Sequence, residues 1–319
     1  MGHLDADILL AQPRGFCAGV DRAIQIVKEA LRQYGAPIYV RHQIIHNARV
    51  IAELSSEGAI FIEELSEVPD GSTLIFSAHG VSLEIKHLAS QRDLRIFDAT
   101  CPLVNKVHVE VHKLHAAGIP IVMIGHHGHP EVEGTMGQVK ENIYLVEKVT
   151  DIANLPLSCD QKIAYVTQTT LSIDETRGII LALKSQFKDI VEPKKQDICY
   201  ATQNRQDAVK QLVPLVDIMV VVGSANSSNS NRLRELGSKM GVAAYLVDDP
   251  SQVQAEWFVG KKRVGISAGA SAPEALTQEI VAVIRSYGLR VVKTLPGIVE
   301  NTVFSMPKGL QSPQKSLAT

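Results

Sequence analysis

Three cysteines, Cys17, Cys101 and Cys199, recur at one place in a repeating pattern of strand-like and helix-like runs, and this repeat limits the fold more than any other feature. Each follows a short strand-like stretch: "DILLAQ", "LRIFDAT" and "KKQDI". Each precedes a run whose apolar residues return every three or four positions, "GVDRAIQIVKEALRQYG", "LVNKVHVEVHKLHAAG" and "ATQNRQDAVKQLVPLVD", the period of an amphipathic helix. A buried-strand run comes next, "PIYVRHQII", "IPIVMIG" and "IMVVVGS", and each empties into a polar loop. The interval from cysteine to loop is 29 residues to His46, 28 to His129 and 28 to Ser227. A second helix and strand follow, then a strand ending in "SAHG", "TQTT" or "SAGAS", then a closing helix.

Alternating strands and helices predict an α/β protein with parallel sheets and right-handed crossovers. The spacing divides the chain into three pseudo-symmetric αβ domains with small parallel sheets, residues 13–99, 100–196 and 197–305, whose loops would converge on one central cavity if the units pack around a threefold axis. The N-terminal strand, 6–12, stands to Cys17 as "LRIFDAT" stands to Cys101, so it is a candidate to complete the third unit's sheet. Residues 306–319, in "PKGLQSPQKSLAT", are polar and aperiodic, which predicts a disordered tail. In open α/β sheets the working loops lie at the carboxyl ends of strands. A threefold arrangement would therefore bring the cysteines and the polar loops to one place.

Composition narrows the function classes. With 45% hydrophobic and 21% charged residues the chain reads as a soluble globular protein. A net charge of −2 gives no sign of a nucleic-acid or membrane surface. No apolar run approaches the ~20 residues of a membrane span, and "MGHLDADILL" lacks the basic region of a secretory signal. Four cysteines in 319 residues are too sparse for a disulfide scaffold. A reducing compartment, the cytoplasm, is expected.

A cysteine ahead of a helix faces unpaired N–H groups and the positive end of the dipole, which predicts a lowered thiol pKa. Three thiolates brought together repel one another unless they share a metal. The residues alone leave two candidates: zinc with an open fourth position, or a 4Fe–4S cluster with one iron not held by cysteine. Cys159, in "PLSCDQK", falls outside the repeat and is read as incidental.

The motifs "PRGFCAGVDRAI", "HNARVI", "FSAHGVS", "DATCPLVNKVH", "GHHGHPEVEGT", "VTQTTLS", "DICYATQNRQ", "GSANSSNSNRL" and "SAGASAPE" resemble, in order and from about residue 7 to about residue 304, those of the 4-hydroxy-3-methylbut-2-enyl diphosphate reductases. The resemblance implies a trefoil of αβ domains around a 4Fe–4S cluster held by Cys17, Cys101 and Cys199. It implies reductive removal of the allylic hydroxyl of 4-hydroxy-3-methylbut-2-enyl diphosphate, by two electrons and two protons, to isopentenyl and dimethylallyl diphosphate plus water. It also implies a ferredoxin- or flavodoxin-type electron donor. No flavin or nicotinamide fingerprint is evident in the chain.

For the diphosphate the loops offer neutral donors, His46, His79, His129, Ser227, Ser228, Asn229, Ser271 and Thr169, with Arg49 and Arg232 only at the edges. Helix N-termini add backbone donors, and histidines beside a dianion are expected to become cationic. Glu131 is the one carboxylate at the core of these loops. Loss of an allylic hydroxyl needs a nearby acid, so Glu131, with Thr169 and His129, forms the candidate catalytic group. Gln168 and Thr170 would orient it. In "GHHGHPE", His126 and His127 are read as structural, and His108, His112 and His115 as a solvated helix face. Two rivals remain at this level: a non-redox Fe–S hydro-lyase acting on a phosphorylated substrate, and a zinc-stapled phosphate-binding protein.

Overall fold

The computed structural model describes residues 7–310. Along the chain come β1 (Ile8–Leu10), α1 (Ala18–Tyr34), β2 (Ile38–Arg41), α2 (Ala48–Ser56), β3 (Ala59–Ile62), β4 (Thr73–Phe76), α3 (Leu83–Ser90) and β5 (Arg95–Asp98). Next are α4 (Pro102–Ala116), β6 (Ile121–Ile124), α5 (Pro130–Met136), β7 (Ile143–Val146), β8 (Lys162–Thr167), α6 (Ile173–Gln186) and β9 (Asp189–Val191). Last are α7 (Tyr200–Leu212), β10 (Ile218–Val222), α8 (Ser228–Lys239), β11 (Ala243–Val247), β12 (Val264–Ala268), α9 (Glu274–Ser286) and β13 (Val292–Thr294).

The strands make three parallel sheets, ordered β3-β2-β4-β5, β7-β6-β8-β9 and β11-β10-β12-β1-β13. The shared order shows the pseudo-symmetry. In the third sheet β1 fills the place that β5 and β9 fill in the others, and β13 extends the edge. The central strands are almost wholly buried and mostly apolar, as in "IMVVV" of β10, because helices cover both faces. Apolar stripes of the helices complete each core. Ala23, Ile26, Val27 and Ala30 of α1, for example, pack on Ile38, Val40 and Ile75 of the first sheet.

This order places each cysteine at a seam. β1, β5 and β9 each lead into the segment that carries Cys17, Cys101 or Cys199, and the following helix packs on the next sheet. All three cysteines are the N-caps of their helices, α1, α4 and α7.

Three expectations need correction. "KKQDI" is not a strand; the strand is the earlier β9, Asp189–Val191, and irregular chain fills the gap to Cys199. His108 is buried, 2% exposed, because it packs under Gly80, where a Cβ would come within 2.7 Å of its ring. The tail expected from residue 306 does not begin there. Met306 and Leu310 pack into the first sheet's core, Leu310 being 1% exposed, and Tyr34 donates its hydroxyl to the Gly309 carbonyl at 3.3 Å. Apolar residues are too sparse in this stretch to leave a period to read. The remainder of that stretch, 311–319, lies outside the described residues.

Candidate active site

One cavity, of about 110 Å³, receives loops from all three sheets. Cys17, Cys101, Cys199, His46, His79, His129, Glu131, Thr169, Ser227, Ser228, Asn229 and Ser271 all line it. Cys159 is exposed elsewhere. Among the described residues no lysine or arginine lines the cavity. Arg49 pairs with Glu279, and Arg232 pairs with Glu175 and Glu235.

The cysteines border one side. A Cβ on Gly19 would lie 2.8 Å from the Cys101 sulfur and 3.8 Å from that of Cys17, so only glycine lets these two thiols approach across α1. The Cys199 sulfur meets the Thr202 hydroxyl at 3.1 Å and accepts the Thr202 N–H at 3.3 Å. Burial pushes the thiols of Cys101 and Cys199 up, to about 12 and about 11, and repulsion from Cys17 adds to both. For these two thiols desolvation outweighs the helix N-terminus. Among the described residues no three His, Cys, Asp or Glu side chains converge on a single-ion site.

The opposite side is rich in donors. The rings of His46 and His79 stack with centroids 4.3 Å apart, and His129 meets them edge-on at 5.4 and 5.7 Å. Burial lowers the pKa of His46 to about 4, with repulsion from His42 adding, that of His129 to about 3, with His46 and His126 adding, and that of His79 well below normal, with His46, His129 and His42 adding. Burial thus favours neutral rings in the unliganded cavity, and an anion bound among them favours the cationic form. Both ring nitrogens of His46 and the amide nitrogen of Asn229 are buried without a hydrogen-bond partner among the described residues. Buried polar atoms are nearly always paired, so these point to a ligand with acceptor oxygens. The Asn229 side chain is fixed by the Ala270 N–H, donated to Oδ1 at 2.9 Å, which leaves the amide nitrogen for the cavity. Ser227 caps α8, accepting from the Ser230 N–H, and Ser271 donates to it at 3.3 Å.

Between the two walls lies Glu131, 3% exposed in the first turn of α5. Its carboxyl accepts from the Thr169 N–H at 2.6 Å and the Thr169 hydroxyl at 3.1 Å. Burial raises its pKa to about 7 against those two bonds. Gln168 donates to Thr170, and Thr170 donates to Ser228 at 3.0 Å, a chain joining the second and third units. His129 caps α5 by accepting the Glu131 N–H at Nδ1, so its other nitrogen remains for a ligand. His126 instead lies 3.5 Å from Glu147, and His127 is exposed, so the three histidines of "GHHGHPE" diverge. Sequence reasoning missed Gly19 and Thr202. The signal for Thr202 was its place three residues beyond a capping cysteine, where an N–H and a hydroxyl turn back toward the cap.

The family profile described as "LytB protein" matches residues 8–285. A 4-hydroxy-3-methylbut-2-enyl diphosphate reductase of Ralstonia nicotianae is 62% identical over 96% of this chain and 95% of its own length. One from Chromobacterium violaceum is 60% identical over 95% and 98%. Among solved structures, that of the E-1-hydroxy-2-methyl-but-2-enyl-4-diphosphate reductase from Plasmodium falciparum superposes with a TM-score of 0.92, at 39% identity over 96% of this chain and 97% of that one.

Proposed function

The chain belongs to the LytB protein family, and from that premise we propose that its cavity reduces 4-hydroxy-3-methylbut-2-enyl diphosphate. The allylic C–O bond breaks, two electrons and two protons are taken up, and isopentenyl and dimethylallyl diphosphate leave with water. The observation that carries this reading is the pairing of two unlike walls in one cavity: three helix-capping thiols, and a set of buried donors without partners.

Cys17, Cys101 and Cys199 would hold a 4Fe–4S cluster. They fit it by number, by thiol chemistry and by the glycine that lets two of them approach. When bound, such a cluster supplies electrons and one iron free of cysteine that acts as a Lewis acid. The remaining work falls to the chain. Asn229, His46, His79, Ser227, Ser228 and Ser271 bind the diphosphate oxygens. His129 joins them through its free nitrogen. Each charge-assisted bond to the dianion contributes roughly 1.5–3 kcal/mol. Glu131, protonated near neutral pH because burial raises its pKa, gives the departing hydroxyl its proton, and Thr169 holds that carboxyl in place. The low exposure of Glu131 and Thr169 excludes water that would otherwise compete for the proton.

The division at 99/100 and 196/197 belongs to the same reading, since each boundary falls just ahead of a cluster cysteine. Electrons would come from a ferredoxin- or flavodoxin-type protein, and four free thiols suit a reducing cytoplasm. No helix among the described residues is long and apolar enough to cross a membrane. The test is anaerobic turnover of the diphosphate with an artificial reductant. Both five-carbon diphosphates should appear, and only when reductant is present. Turnover without reductant would indicate a hydro-lyase, and a colourless protein inert in both conditions would indicate a zinc-stapled binder.

A further inference from the structure

The helices capped by the three cysteines each carry a cation in a similar place, five residues after the cysteine in α1 and α4 and six after it in α7. In "CAGVDR", "CPLVNK" and "CYATQNR" these are Arg22, Lys106 and Arg205. None of them lines the cavity. Each reaches instead to the backbone just ahead of a different cysteine. Arg22, on α1, donates to the carbonyls of Thr100 at 3.1 Å, Ala99 at 3.2 Å and Asp98 at 3.5 Å, ahead of Cys101. Lys106, on α4, donates to Gln196 at 2.8 Å, Lys195 at 2.9 Å and the Asp197 carboxylate at 3.2 Å, ahead of Cys199. Arg205, on α7 and 0% exposed, donates to Gly15 at 2.6 Å and Phe16 at 3.1 Å, ahead of Cys17. The contacts close a ring: the Cys17 helix grips the Cys101 segment, that helix grips the Cys199 segment, and the last grips the first.

Strand pairing among the described residues runs only within each sheet. No strand ladder among the described residues therefore ties one cysteine's unit to the next. A cation shared by several carbonyls does, because its bonds are stronger than neutral ones and directional. The segment from β13 to Leu310 ties down two of the clamps. Glu300 pairs with Arg205 at 3.2 Å, and the Ser305 carbonyl accepts from Arg22 at 2.8 Å. Lys106 is free of that segment and has Asp197 as its counter-ion. We propose that Arg22, Lys106 and Arg205 are positioning residues that set the mutual spacing of the three thiols, each by tethering the segment that delivers the next cysteine. The proposal rests on the cluster reading above.

Lys106 is the decisive position, since its side chain is 37% exposed and its loss threatens the fold least. Lys106→Met, Lys106→Arg and a control, Lys28→Met, would be compared with wild type after anaerobic reconstitution with iron and sulfide. The readouts are the rate of iron loss to a chelator and the electron paramagnetic resonance spectrum of the reduced cluster. Lys106→Met should lose iron faster by on the order of 10-fold, as for other groups that orient metal ligands, and its spectrum should shift. Lys106→Arg should restore both, and Lys28→Met should change neither. Without iron, and in a Cys159→Ser background, a short bis-maleimide should cross-link Cys101 to Cys199 several-fold more slowly in Lys106→Met. Wild-type iron retention, spectrum and cross-linking in Lys106→Met would overturn the clamp, as would a defect that Lys106→Arg fails to restore. A wild type that takes up no iron would instead sink the cluster reading, with the cross-linking result still deciding the clamp.

Discussion

The two walls of the cavity solve opposite problems. The His/Ser/Asn wall is built in advance. Asn229 is pinned at Oδ1 and left open at its amide nitrogen, and Ser271 is held by its bond to Ser227. Its histidines are neutral and stacked, so a dianion meets donors without first displacing a resident counter-charge. The thiol wall is not at rest in this way. Cys101 and Cys199 are buried at raised pKa beside Cys17, so ionising them is opposed by burial and repulsion together, and under the proposed reading a shared cluster offsets both. One wall binds by preorganisation; the other becomes complete only on loading. Damage to the first should weaken substrate binding, and damage to the second should remove the chemistry.

The largest break in that contrast comes from the thiols. Cys17→Ser, Cys101→Ser or Cys199→Ser should abolish turnover and lower iron content, whereas Cys159→Ser should do neither. Turnover and iron measured on the same anaerobic preparations check this. Glu131→Gln comes next. It keeps the shape but removes the acid, so kcat should fall roughly 10²–10⁴-fold with little change in KM. A near-normal kcat would move the proton source to Thr169 or to the diphosphate itself. His129→Asn should do the reverse, raising KM by about 10-fold or more through lost ground-state contact, with a smaller effect on kcat.

Two smaller effects concern protons. His46, with a pKa near 4 in the free cavity, should gain a proton beside the dianion, so affinity should fall as pH rises from about 4 toward the pKa reached in the complex. Calorimetry in buffers of different ionisation enthalpy would show proton uptake, and its absence would leave the histidines neutral throughout. Glu131 has a folded pKa of about 7, raised from 4.5. Its contribution to stability is whole below the unfolded value and lost as pH rises through the folded one. Relative to Glu131→Gln, the unloaded wild type should therefore lose roughly 3 kcal/mol between about pH 4.5 and pH 8, measurable by denaturant unfolding across that range.

Much of this was legible in the chain. The nearly equal intervals from cysteine to loop carried the three-sheet plan, because the parallel strands are covered on both faces and so read as mostly apolar runs. The line of motifs carried the family. What escaped depended on contacts between units. A helix N-terminus argues for acidic thiols, but sequence cannot weigh that against burial among other thiols. His108 reads as one of three helix-face histidines until Gly80, from another unit, is seen to cover it. Leu310 looks like part of a polar tail until it reaches a core made of residues more than two hundred positions away. The clamping cations look like ordinary charges on amphipathic helices until their carbonyl partners are known.

The claim that the two walls serve one reaction is tested most directly by the resonance spectrum of the reduced, iron-loaded protein with and without a saturating amount of the diphosphate. The expected result is a changed spectrum on binding in wild type and in Glu131→Gln, with no change in either when inorganic phosphate replaces the substrate. A spectrum unmoved by saturating substrate would mean that the diphosphate binds where the thiols do not reach, and would contradict a shared site.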